Sequence, residues 1–295
     1  MPTVHTAVLA LESVSALLPH SGGLYLDGTL GGGTHAQALL QASAPNGRVL
    51  SLDVDRMAIE RARNRLGAYG SRWEAIEGNF KRLDEIAKEK DFAPLNGILL
   101  DLGFSSDEIA DPQKGLSFLV DGPLDMRLGP QANDDGMTAA DIVNTWSQSD
   151  LIAMLRNFGE ESHALRIAQA ITEARKAARI IGTLDLVSII QRAVPRIPGQ
   201  HIHPATKTFQ ALRIAVNDEL ENLRLAISAS QRVLKPKGRL AIISFHSLED
   251  RIVKKAFAES GWNPVSKKPT TPSEEEVTAN PRARSAKLRV AERVS

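Results

Sequence analysis

The sequence contains no cysteine. That excludes a disulfide framework, any cysteine-ligated zinc and a thiol nucleophile. It suits a reducing compartment. Aromatic residues are scarce at 4%, yet hydrophobic residues reach 42%, enough for a packed core and too many for a wholly disordered chain. No apolar run approaches the ~18 residues of a membrane span. The opening stretch MPTVHTAVLALESVSALLPH has neither the basic start nor the small-residue cleavage site of a signal peptide. The reading is a soluble, cytoplasmic protein of one large domain or two smaller ones.

An excess of one charge sign is also missing, since the formal net charge is +1. The distribution is uneven. Residues 101–159 carry 3 Lys/Arg against 10 Asp/Glu, while residues 160–237 carry 12 against 7 and residues 238–295 carry 11 against 7. A basic second half is a weak pointer to a polyanionic partner, and solvated helix faces explain it as well.

What is present is an alternation. LYLDGTL (24–30) reads as a strand leading into a glycine run and a helix from Thr34. RVLSLDVD (48–55), WEAIEGNF (73–80) and NGILLDLG (96–103) read as further strands. Strands alternating with helices imply a parallel, doubly wound α/β sheet. Residues 104–137 read as irregular loop, and residues 138–234 carry apolar positions at helical spacing. The strand pattern returns at GRLAIISFH (238–246). Residues 263–281 read as a mobile polar stretch, and SAKLRVAERV (285–294) as a last strand. The expectation is one sheet domain with a helical insertion after its fourth strand, and a ligand cleft at the carboxyl ends of the strands.

The densest local signal is DGTLGGGTHAQAL (27–39). Its glycines follow a strand and precede a helix, where the backbone must turn tightly and a ligand can approach closely. Asp53 ends the second strand, where a carboxylate can accept from both ribose hydroxyls of an adenosine. Two cofactors compete for this pattern. Gly31-x-Gly33-x-x-Ala36, with an acid about twenty residues on, fits the dinucleotide fingerprint and favours NAD. Asp27 and Gly28 before the glycine run argue the other way, and the acid-then-glycines pattern resembles motif I of S-adenosylmethionine-dependent methyltransferases. Asp101 ends the fourth strand. Three acids on strand ends suit a sulfonium and repel a pyrophosphate.

The segments DGTLGGGTH, NGILLDLGFSS, KGLSFLVDGPLDMR, HPATKTFQALRI, GRLAIISFHSLEDRIVK and NPRARSAKLRVAER run along the whole chain. With them the sequence resembles the bacterial 16S rRNA cytosine-N(4)-methyltransferases, the small-subunit rRNA methyltransferase H family. The resemblance implies a Rossmann-like class I methyltransferase sheet with an inserted helical domain. Residues 1–103 and 235–295 would bind S-adenosylmethionine, and residues 104–234 would recognise substrate. It implies methylation of the exocyclic N(4) amino group of a cytidine in the decoding region of 16S rRNA, with 16S rRNA within the small ribosomal subunit as the expected partner. It implies no membrane partner and leaves a homodimer open. Carried over by position, cofactor contacts fall on Gly31, Gly33, Thr34, His35, Asp53, Phe80, Asp101 and Glu108. The chain departs from the family pattern at Thr34, commonly glycine, and at Glu108, commonly glutamine. A carboxylate cannot donate as an amide can.

A cytosine amino group is a poor nucleophile, because its lone pair is delocalised into the ring. It must be oriented and relieved of a proton. The acceptors expected for that work are Asp101 and Ser105 or Ser106 in DLGFSS. His246, after the fifth strand, is read as a base, a base-edge partner or a structural residue. Arg127, held by Asp125, and Lys207, Arg213, Arg282 and Arg284 are phosphate candidates. No metal site is expected at the His201-Ile202-His203 stretch, because no cysteines or clustered acids accompany it.

Overall fold

The computed structural model describes residues 7–104, 106–130, 132–195 and 203–294. The chain divides into two compact units, Met1–Ser105 with Leu220–Ser295, and Ser106–Glu219.

The first unit is built on a seven-stranded sheet. Its strands are β1 (Leu24–Asp27), β2 (Arg48–Asp53), β3 (Trp73–Glu77), β4 (Leu95–Asp101), β5 (Leu234–Ser244), β6 (Trp262–Pro264) and β7 (Lys287–Arg293). The spatial order is β3-β2-β1-β4-β5-β7-β6. β1 to β5 run parallel, and β7 runs antiparallel to both β5 and β6. The fold class is therefore α/β and Rossmann-like. The chain winds one way from β1 to β3 and the other way from β4, so the order reverses between β1 and β4. In such sheets the crevice at the carboxyl ends of those two strands is where ligands bind.

Burial on both faces explains the apolar runs. Leu26, Leu50, Leu52, Ile98, Leu100 and Ile242 pack one face against Leu223, Ala226 and Ile227 of the helix Glu219–Val233. Tyr25, Val49, Leu99, Ala241 and Ile243 pack the other against Leu39 and Leu40 of the helix Thr34–Ala42 and Ala62 and Leu66 of the helix Arg56–Leu66.

The second unit is helical. Ala139–Thr145, Gln148–Gly159, Ala164–Ala177, Thr183–Ala193 and Thr206–Val216 enclose a separate core that includes Ile142, Leu155, Ile167, Ile190 and Leu212. Its irregular part is pinned by two buried asparagines. Asn133 donates to the carbonyls of Met137 and Val216, and Asn217 donates to that of Met126 and accepts from Leu128 N.

Two expectations differ from the structure. The expected end of the insertion at residue 234 moves to 219, because the apolar side of Glu219–Val233 belongs to the sheet's own core. Residues 263–281 are not a featureless stretch. They complete β6, bridge Thr270 to Leu288, and form a helix at Glu274–Ala279 capped by Ser273. β6 has three residues and ends in proline, so no alternation of polarity marks it in the sequence.

Candidate active site at the carboxyl ends of β1, β2 and β4

The turn after β1 is held by its neighbours. Gly28 N donates to Leu99 O and Leu30 N to Leu52 O, each at 2.9 Å. The glycines differ in what they do. A Cβ on Gly28 would lie 2.4 Å from Leu100 Cδ2 and 3.3 Å from Phe80 Cβ, so its smallness lets the strand end close against those side chains. Gly33 has φ +78°, and a Cβ there would stand 3.0 Å from Leu66 Cδ1. It serves helix packing. Gly31 has φ +49° with open space where a Cβ would be, which is the condition for a ligand to approach the backbone.

Asp53 ends β2 and fastens this turn. Its Oδ2 accepts from Gly31 N at 2.8 Å, and its Oδ1 accepts from Asp55 N at 2.9 Å. Thr34, the first residue of the following helix, accepts through Oγ1 from Arg65. Phe80 begins the turn Phe80–Arg82, which is capped by Asn79 through a bond from Lys81 N. Its ring packs partly buried against the core beneath β1 and β4.

Asp27 and Asp101 end the central strands, and both are charged groups in poor surroundings for charge. Asp27 is fully buried and accepts from Thr29 N at 3.2 Å. Burial, reinforced by Asp53, pushes its carboxyl up to about 7. Asp101 is held through its backbone, whose N–H donates to Thr29 Oγ1 at 2.7 Å. Burial, together with Asp27 and Glu249, raises its carboxyl well above the ordinary carboxylate range. Asp27 Oδ2 and Asp101 Oδ1 are buried with no hydrogen-bond partner among the described residues. Two unpaired carboxylate oxygens at a topological switch point fit a positively charged ligand and oppose a pyrophosphate.

His35 and Glu249 complete the surroundings of Asp101. The His35 ring is buried, with Nε2 3.3 Å from Val8 O and Nδ1 3.6 Å from Asp101 Oδ2. Glu249, also buried, accepts from Phe245 N at 2.8 Å and His246 N at 3.3 Å. His246 is the N-cap of the helix Ser247–Ala256, and its Nδ1 accepts from Glu249 N at 3.5 Å. The reciprocal pair is a capping box, which gives His246 a structural part, while its Nε2 is buried with no hydrogen-bond partner among the described residues. Sequence reasoning missed Glu249. The His-x-x-Glu spacing before an amphipathic helix was the available signal.

Ser105 lies outside the described residues. Glu108 belongs to the second unit, where its Oε1 pairs with Lys114 Nζ at 3.2 Å, and Lys114 also donates to Leu128 O. In the same unit Asp125 grips Arg127 in a fork, at 2.8 Å to Nε and 2.7 Å to Nη2, and Arg127 keeps that carboxyl low. Arg213 is committed to Glu219 at 2.6 and 2.9 Å, and Lys207 donates to Glu160 O. Arg213 is thus a structural ion pair rather than a solvated phosphate contact.

Fold and site together define a Rossmann-like class I methyltransferase. The family model described as the MraW methylase family matches residues 2–294. The chain belongs to that family. It is 44% identical over 314 residues to the ribosomal RNA small subunit methyltransferase H of Thermomicrobium roseum, covering 100% of this chain and 95% of the relative. It is 44% identical over 310 residues to the protein of the same name from Geotalea uraniireducens, covering 98% of each. Among solved structures, it is similar to an rRNA methylase from Streptococcus thermophilus at 12% identity and a TM-score of 0.47, covering 98% of both chains. No helix among the described residues is long and apolar enough to cross a membrane.

Proposed function

We propose that this protein transfers a methyl group from S-adenosylmethionine to small-subunit ribosomal RNA, at the exocyclic N(4) amino group of a cytidine in the decoding region. The observation that carries the reading is 44% identity over essentially the whole chain to relatives named for small-subunit rRNA methylation. The buried acids at the strand ends support the cofactor on physical grounds.

When bound, S-adenosylmethionine supplies a methyl group on a positively charged sulfur. Asp27 and Asp101 hold that charge with oxygens that have no other hydrogen-bond partner among the described residues. Asp53 sets the backbone of Gly31 at the end of β2, where a carboxylate can accept from ribose hydroxyls. Asp101 accepts the proton that the amino nitrogen loses, as the nitrogen–carbon bond forms and the carbon–sulfur pair departs to sulfur. His246 holds the helix after β5 as its N-cap. Arg127, fixed by Asp125, offers its guanidinium to RNA phosphate in the second unit. Substrate recognition by the helical insertion and the sheet's role as cofactor domain are part of the same proposal.

The test uses labelled S-adenosylmethionine with small subunits lacking the methyl group and with matching naked rRNA, followed by digestion to nucleosides. Label in N(4)-methylcytidine is expected. Label in another nucleoside would replace the position. No label in either RNA, from protein shown to bind the cofactor, would discard the substrate.

A further inference from the structure

The His35 imidazole is buried at 4% exposure beside the residue that would take the proton. Its Nε2 stands 3.3 Å from the carbonyl of Val8, and a carbonyl oxygen can only accept. Nε2 is therefore the protonated nitrogen of the neutral ring. That leaves a lone pair on Nδ1, the atom 3.6 Å from Asp101 Oδ2. The two groups are 66 positions apart in sequence, on the helix after β1 and the end of β4.

We propose that His35 is the positioning residue of the proton acceptor. The Val8 carbonyl fixes its tautomer so that Nδ1 faces Asp101 as an acceptor, and Asp101 and His35 together hold the proton taken from the amino nitrogen. This rests on the methyl-transfer reading above and deepens it.

The other ionisable groups around the pair make a second holder for the proton useful. Asp27 and Glu249 both press on Asp101 as like charges, while Asp53 presses on Asp27, and His246 stands 3.3 Å from Glu249. In the free protein this crowd of acids strengthens the hold of Asp101 on a proton. A cation beside Asp27 and Asp101 would weaken that hold and favour a carboxylate ready to accept. As methyl transfer moves the positive charge from sulfur to nitrogen, Asp101 recovers its basicity. One proton then passes from nitrogen to Asp101 Oδ2 and is shared with His35 Nδ1. One bond to nitrogen forms and one N–H breaks, and the pair gains a single proton.

Two measurements test this. The first is long-range proton–nitrogen NMR of His35 in the free wild-type protein, at a pH where the ring is neutral. The Nε2–H tautomer is expected. The Nδ1–H tautomer would overturn the proposal, because Nδ1 would then be a donor. This readout needs no RNA, so it stands even if the substrate assignment fails. The second is His35→Gln, whose amide keeps a donor for Val8 O and removes the facing acceptor. At saturating S-adenosylmethionine its kcat is expected to fall by roughly a hundredfold, as for loss of acid–base assistance, beyond any change in cofactor affinity. The loss should narrow as pH falls, because a protonated wild-type ring no longer offers an acceptor. Unchanged kcat, or a loss carried wholly by cofactor affinity, would overturn it. If His35→Gln fails to fold, the same split is read from His35→Asn.

Discussion

Asp27→Asn is expected to weaken S-adenosylmethionine binding by more than tenfold while removing a source of instability from the free protein as the pH rises. The wild-type carboxyl is fully buried and sits at about 7, against an ordinary value of 3.8. Between those two values the folded state holds a proton that the unfolded state has released. The unfolded state therefore binds fewer protons there, and stability falls as pH climbs through the window. The cost reaches about 4 kcal/mol above pH 7, at roughly 1.4 kcal/mol per unit. Asparagine has no charge to bury, so this slope disappears. Thermal melts from pH 4 to pH 8 check it: the variant should gain on the wild type up to about pH 7 and level off above it. A constant difference would mean that Asp27 is already paired in the folded protein. Binding separates in the same variant. The neutral product S-adenosylhomocysteine should lose far less affinity than the cationic cofactor.

Asp101→Asn should act on turnover more than on binding. The amide keeps the shape of the side chain and leaves the bond from Asp101 N to Thr29 in place. It cannot accept a proton at neutral pH. A loss of roughly 10²–10⁴ in kcat is expected, the range for general acid–base assistance. Asp101→Ala should abolish activity. Normal turnover in either variant, with cofactor bound, would remove Asp101 from the chemistry.

The parts of the fold that sequence reveals are those punctuated locally. β1, β2 and β4 each end in an aspartate, and glycines mark the turn that follows β1, so strand ends and ligand end are read together. The helices of the second unit announce themselves by apolar spacing, as in Ala164–Ala177. What stays hidden depends on contacts distant in sequence. Glu249 lies 148 positions from Asp101, yet its charge bears on that carboxyl. The roles of Gly31 and Gly33 look identical in the sequence. Only the nearness of Leu66 to Gly33 separates a packing glycine from one that leaves room for a ligand. The His246 side chain reads equally as base or cap until Glu249 is found on its other side. The boundary at 219 escapes for a related reason. The helix Glu219–Val233 continues the helical periodicity of the insertion, but its apolar side packs on the sheet.

Asp27 and Asp101, two strand-end acids whose carboxyls are raised by burial, select a cation. Calorimetric titration of the free protein at pH 7, in buffers of different ionisation heat, counts protons directly. S-adenosylmethionine is expected to bind with net release of protons, because a sulfonium beside Asp27 and Asp101 favours their charged forms. S-adenosylhomocysteine, neutral at sulfur, should release markedly less, and NAD should not bind. Equal proton counts for the two ligands, or tight binding of NAD, would contradict the account.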